Sequence, residues 1–234
     1  DVPRGVFLRS PRIFVGGQTQ IVSPVRVGYG AVLAAGCAVR GDVAEGALYG
    51  EAPRSVDRPF EADRYGALEP LFGRTLEYVA NLWALDLWYE RVRLPAAPPF
   101  YDELYRAAQS QLRAGVAERL KRLDKIVAKF PRSVKLHQQA MDAAADGERA
   151  QWHRERALEH ISVADGWPAT FRALSIAPEV GDTPGLQAVA ERLAAHRQDA
   201  DGALAYLDAI QALDDDEVAA GQAELQAVVD GILG

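Results

Sequence analysis

The sequence predicts a β + α protein: a short left-handed parallel β-helix followed by an all-α helical region. Three observations carry that expectation. A six-residue repeat occupies most of the first fifty positions. The apolar period then changes from six to between three and four. Prolines and glycines fall between the periodic stretches, where breaks are needed. The implied organisation is residues 1–50 as β-helix coils, 51–66 as linker and 67–234 as a helical domain.

The repeat is sought first because missing it misreads a whole fold. From Val15 the blocks are Val15-Gly-Gly-Gln-Thr-Gln20, Ile21-Val-Ser-Pro-Val-Arg26, Val27-Gly-Tyr-Gly-Ala-Val32, Leu33-Ala-Ala-Gly-Cys-Ala38 and Val39-Arg-Gly-Asp-Val-Ala44. Each opens on Val, Ile or Leu, and position five is always small or β-branched. One block predicts one short strand and one turn of a triangular coil, with positions one and five pointing into a narrow interior. Glycines suit the corners, where positive φ or close backbone approach is required. Five blocks make a little under two coils, so coils upstream or partner chains are expected to cover the open face. Residues Arg9 to Phe14 read either as a degenerate coil or as a loop. The first residue is Asp1, not Met, and the repeat begins almost at once, which suggests a piece of a longer polypeptide.

After a Pro-containing stretch from Glu51 to Tyr65, the helical period begins. Leu68, Leu71, Phe72, Leu76, Val79, Leu82, Trp83 and Leu87 form an apolar stripe, stopped by Pro95, Pro98 and Pro99. A second helix is predicted over Tyr101 to Lys129, ended by Pro131. Further helices are predicted over Ser133 to Asp146, Glu148 to Val163, Gly185 to Arg197, Asp201 to Leu213 and Glu217 to Leu233. Asp165-Gly166-Trp167-Pro168 and Gly181-Asp182-Thr183-Pro184 read as turns. The last three helices are alanine-rich and closely linked, as in an antiparallel bundle.

Composition limits the function classes. The chain has 234 residues and a formal net charge of −7, which argues against nucleic acid as the main partner. Its one cysteine, Cys37, excludes an intrachain disulfide. With no secretory segment, a cytoplasmic location is expected. No stretch approaches the roughly 18 apolar residues of a membrane span, so no membrane partner is expected.

The segment from Val27 to Pro53 resembles the closing coils of the hexapeptide-repeat acyltransferases and related sugar-nucleotide enzymes. Arg40-Gly41-Asp42-Val43-Ala44 stands at one characteristic step and Leu48-Tyr49-Gly50-Glu51-Ala52-Pro53 at the exit. The resemblance spans roughly Val15 to Pro53, under a fifth of the chain. It implies a homo-oligomer, most simply a trimer, with acetyl-CoA or another acyl-CoA in a groove between subunits and a sugar or sugar nucleotide as substrate. It places Ala34 and Cys37 against the pantetheine arm and Arg40 against a phosphate; plain coil packing and a solvated surface charge are the alternatives. These enzymes use a histidine base, yet His137, His153, His160 and His196 all fall in the helical region. The same absence argues against metal-binding relatives that need histidine ligands on the coils. A resemblance to bifunctional sugar-1-phosphate nucleotidyltransferases would place the glycine-rich nucleotide loop upstream.

Elsewhere the signals are weaker. His153 and His160, seven apart, share a helix face with Arg156 and read as surface residues before a metal site. Trp83, Trp88, Tyr78 and Tyr89 read as core before pocket. A basic run (Arg113, Arg119, Lys121, Arg122, Lys125, Lys129, Arg132, Lys135) is set against an acidic C-terminal end (Asp199, Asp201, Asp208, Asp214 to Glu217, Glu224, Asp230). Two solvated faces explain this, or the basic helix docks on the acidic end, in the same chain or in a neighbour. The functional expectation is a sugar-nucleotide-type transferase, acyl or nucleotidyl, with no catalytic residue assignable; the alternative is a non-catalytic trimeric scaffold or partner-binding protein.

Overall fold

A computed structural model describes residues 1–22, 25–55, 57, 60–198 and 203–234, without the side chains of 197–198 and 203–205. Ser23 and Pro24 of the repeat, Pro59 of the linker, and Asp199 and Asp201 of the acidic end lie outside the described residues. In chain order the elements are α1 (Val2–Gly5), β1 (Phe14–Val15), β2 (Gln20–Ile21), β3 (Val32–Leu33), β4 (Ala38–Val39), β5 (Leu48–Tyr49), α2 (Glu69–Trp88) and a π turn (Tyr89–Arg93). There follow α3 (Asp102–Val127), α4 (Phe130–Asp142), α5 (Gly147–Leu174), α6 (Pro184–Gln198), α7 (Ala203–Gln211) and α8 (Asp215–Leu233).

The predicted fold class is thereby corrected. The chain is mainly α, and among the described residues no left-handed β-helix forms. The repeat makes only two-residue strands in two small parallel sheets, β1-β3-β5 and β2-β4, with a lone bridge between Val27 and Val43. The physical reason lies in the blocks themselves. Glycine, proline and turn residues leave each one only two positions for pairing, and five blocks are too few to outweigh the strongly periodic helical sequence that follows.

The strands are held in parallel register, Phe14 beside Val32 beside Leu48 and Val15 beside Leu33 beside Tyr49 in one sheet. In the other, Gln20 lies beside Ala38 and Ile21 beside Val39. Gly36 and Gly46 take φ of 70° and 66° at the turns between strands, a region L side chains resist. Ala31, Leu33, Cys37, Val39 and Val43 form the small apolar centre, flanked by Val25, Val27, Ala47 and Tyr49.

The chain divides into two compact units, each drawing on separated segments. The first comprises Asp1–Arg9, Leu76–Arg122 and Phe171–Gly234; the second comprises Ser10–Thr75 and Leu123–Thr170. The helices α2, α3 and α5 continue from one unit's residues into the other's. In the first unit, α6 packs on α7, α8 and the π turn, and α1 packs on α8. Phe7, Trp83, Trp88, Leu120, Leu186, Ile210 and Leu225 are buried there. Each such apolar side chain contributes about 1.5–3 kcal/mol by leaving water. Trp83 donates its indole N–H to the Leu174 carbonyl at 3.1 Å. Tyr78 is exposed, so the proposed aromatic quartet is core at the tryptophans and surface at Tyr78.

Most predicted helix ranges agree with the structure to within a few residues. Pro131 both ends α3 and opens α4, sitting in its first turn where a missing N–H costs nothing. The predicted turn at Asp165 to Pro168 is overturned: α5 runs through it, with Pro168 in its interior. In the second unit, Trp167 is buried edge-on to Phe72 at 5.7 Å and donates to Asp124 Oδ1 at 2.9 Å. Burial of the largest side chain offsets the roughly 3 kcal/mol an interior proline costs.

Ion pairs engage members of both the basic run and the acidic end. Arg113 pairs with Asp86 at 3.0 Å, and Lys129 and Arg132 pair with Asp63 at 3.4 and 2.8 Å. At the acidic end, Asp215 pairs with Arg9 at 2.7 Å, Glu217 with Arg192 at 3.1 Å, and Glu224 caps α6. None of these pairs joins the basic run to the acidic end.

Candidate functional site

The feature of the second unit that most departs from a closed interior is the outer edge of its β strands. Val15 and Ile21 stand in register with Leu33 and Val39, which are 0% exposed, yet are themselves 53% and 50% exposed. Register makes them members of the same apolar columns, covered from one side only. Phe14 and Val22 beside them are exposed as well. The inner side of β1 and β2 is fully paired: Phe14 N–H donates to Ala31 O, Gly16 N–H to Leu33 O, Gln20 N–H to Cys37 O and Val22 N–H to Val39 O, at 2.8–2.9 Å. An open strand edge with apolar side chains along it is a template for another extended chain.

The residues assigned to acyl-CoA binding lie nearby but face different ways. Ala34 is half-buried; its N–H donates to Tyr49 O at 2.8 Å and its carbonyl accepts from the Thr19 hydroxyl at 3.2 Å. Cys37 is buried as a free thiol in the apolar centre, its N–H donating to Ala34 O at 3.3 Å. Arg40 is exposed. Its charge acts on Glu51, whose carboxyl is held below the usual range, first by the Tyr49 hydroxyl at 2.7 Å and then by Arg54. Ala34 and Cys37 thus meet through the backbone, while Arg40 points to solvent. Asp42, at the step carried by the resemblance, accepts from the Arg26 N–H at 2.9 Å and pairs with Arg74; the Arg26 bond is the first cause holding its carboxyl low.

Sequence reading missed a histidine cluster in the same unit. His153 and His160 are buried, not surface residues as expected, and His137 of α4 joins them. His137 Nε2 lies 2.7 Å from the Tyr65 carbonyl and its Nδ1 lies 2.9 Å from His153 Nδ1. His160 Nε2 lies 3.2 Å from the Gly66 carbonyl, and its ring stacks on Phe130 at 4.8 Å. A carbonyl only accepts, so both Nε2 atoms carry protons. Neutral His137 then accepts at Nδ1 from His153 Nδ1–H. Burial is the first cause lowering the pKa of all three; Arg64 adds to it at His137 and His153. The spacing of His153 and His160 was legible; His137 on another helix and the backbone carbonyls were not. Among the described residues no group of three or more His, Cys, Asp or Glu is placed to hold a metal ion.

In the first unit, the Arg93 guanidinium of the π turn lies over the rings of Tyr206, 3.8 Å from the centroid, and Tyr105, at 4.5 Å, and donates to the Tyr105 hydroxyl at 2.5 Å. The buried Asp86 carboxylate takes both prongs of Arg113, and Gln109 donates to its carbonyl at 3.3 Å. These groups bond to one another. They hold helices in place.

No protein-family model, no curated protein and no solved structure matches this chain. The resemblance to hexapeptide-repeat transferases is therefore corrected twice: the fold it requires does not form, and no member of that family matches. The expectation of transferase activity loses its basis with it. No helix in the described residues is long and apolar enough to cross a membrane.

Proposed function

We propose that this chain is a non-catalytic binding protein whose open β edge pairs with the same edge of a second copy. The single observation behind this reading is the half-exposure of Val15 and Ile21 beside fully buried register partners. Whatever covers them must offer aliphatic side chains at the spacing of β1 and β2 and backbone groups in extended form. The chain's own β1 and β2 satisfy both demands. Two copies related by a two-fold axis would set this edge against itself, an isologous contact in which each copy covers the other's apolar columns.

The test is the mass of the intact chain by light scattering across a micromolar range, beside the double variant Val15→Lys, Ile21→Lys. A wild-type dimer and a monomeric variant with unchanged helical circular dichroism are expected. A wild type that stays monomeric at the highest concentration defeats the proposal. So does calorimetric binding of acetyl-CoA or a sugar nucleotide, which would restore an enzymatic reading.

A further inference from the structure

We propose that the cluster of His137, His153 and His160 is an acid-sensitive latch that fastens the Tyr65–Gly66 backbone to α4 and α5 when neutral and releases it when more than one of its rings is charged. The segment concerned leads from the linker into α2. It is fastened at four points: His137 donates to Tyr65 O, His160 donates to Gly66 O, the Tyr65 N–H donates to Ser133 Oγ at 3.0 Å, and the Leu68 N–H donates to Glu159 Oε1 at 2.9 Å.

The proton inventory shows why charge opens it. A first proton can be absorbed without breaking a bond. It binds His153 at Nε2, the bridging proton shifts from His153 Nδ1 to His137 Nδ1, and the bridge survives with donor and acceptor exchanged. A second proton cannot be placed this way. If His137 and His153 are both charged, two N–H groups face each other across 2.9 Å. If His160 takes it, the proton must sit on Nδ1, a buried atom with no hydrogen-bond partner. Ring centroids only 5.2 and 5.3 Å apart bring the charges into one poorly hydrated space.

The surroundings favour this response. Arg64 of the linker acts on both His137 and His153, Arg149 of α5 acts on His153, and Arg156 of α5 acts on His160, all against a positive ring. The Gly66 carbonyl and then Glu159 favour a charged His160, and the Tyr65 carbonyl favours a charged His137, but burial outweighs them at both rings; the Glu159 carboxylate is already engaged by Arg156 at 2.8 Å and by the Leu68 N–H. Phe130 covers His160, and Trp152 lies against His137 and His153.

The experiment is amide hydrogen exchange on the full chain, read as protection factors from neutral pH down to about pH 5, across the range where imidazoles titrate. Protection at Tyr65 and Leu68 is expected to fall about tenfold or more on acidification, while Leu225 and Val228 in α8 hold theirs. His137→Gln keeps an N–H for Tyr65 O and cannot take the proton, so its Tyr65 and Leu68 profiles should be flatter. A wild-type profile that does not change, or a His137→Gln profile with the wild-type slope, overturns the latch. Should His137→Gln not fold, the ring resonances of the wild type decide. Coupled, depressed titrations of His137 and His153 support the latch. Independent titrations near pH 6.5, the ordinary histidine value, refute it.

Discussion

Gly221 illustrates how much a single atom can matter in the first unit. It lies in α8, where a glycine normally costs the helix about 1 kcal/mol relative to alanine. A Cβ built there would meet Phe7 Cζ at 2.7 Å. Phe7 has no room to yield: it is fully buried and set edge-on to Trp88 at 5.2 Å. Overpacking of this kind costs about 1–3 kcal/mol, which exceeds the gain in propensity. Gly221→Ala is therefore expected to lower the urea midpoint, and a raised midpoint would show that Phe7 moves. None of this was legible in the sequence, because a glycine within an alanine-rich helix carries no mark of the ring it faces. Cys37 behaved otherwise. Its place at the fifth position of a block marked it as interior, and it is buried.

At the scale of elements, the start of α6 depends on a residue in α8. Glu224 accepts from the Gly185 and Leu186 N–H groups, both at 2.8 Å. These are amides of the first turn, which have no partner within their own helix, and a carboxylate there also meets the positive end of the helix dipole. Glu224→Gln keeps an acceptor and should cost about 0.5–1 kcal/mol; Glu224→Ala should cost about 1–2 kcal/mol, both measured by denaturant unfolding. Equal stability of all three proteins would remove the cap from the account. Helices with a strong 3.6 period were read correctly from local sequence, as with α2 and α8. The Asp214–Glu217 capping box is a local signal of the same kind. What failed was reading a local rule where tertiary burial decides. Pro168 called for a turn, but Trp167 beside it had a buried site and an acceptor in Asp124. The six-residue blocks called for a solenoid, but their pairing positions were too few to build one. The same limit hid the histidine cluster, whose members come from two helices and whose acceptors are backbone carbonyls.

For the whole molecule the buried neutral histidines set a direction in pH. Their folded pKa values lie below the ordinary 6.5, so unfolding at acid pH takes up protons the folded chain refuses. Stability is thus fully present above about pH 6.5 and declines as pH falls from there toward the folded values. The carboxylates held low, Asp42 and Glu51, act in the same sense but only at more acid pH, and both lie at the surface. Thermal midpoints should be level from about pH 8 to 7 and fall steadily below about 6.5; a midpoint rising toward pH 5.5 would contradict buried neutral rings. The interleaved segments of the two units have a consequence for synthesis. Once Thr170 has been added to the growing chain, every residue of the second unit exists. The first unit still lacks Phe171–Gly234, about 3–13 seconds of translation at roughly 5–20 residues per second. During that interval the π turn that carries Val92 has no α6 to pack on, and Trp83 has no Leu174 carbonyl to take its indole N–H, so the first unit closes last.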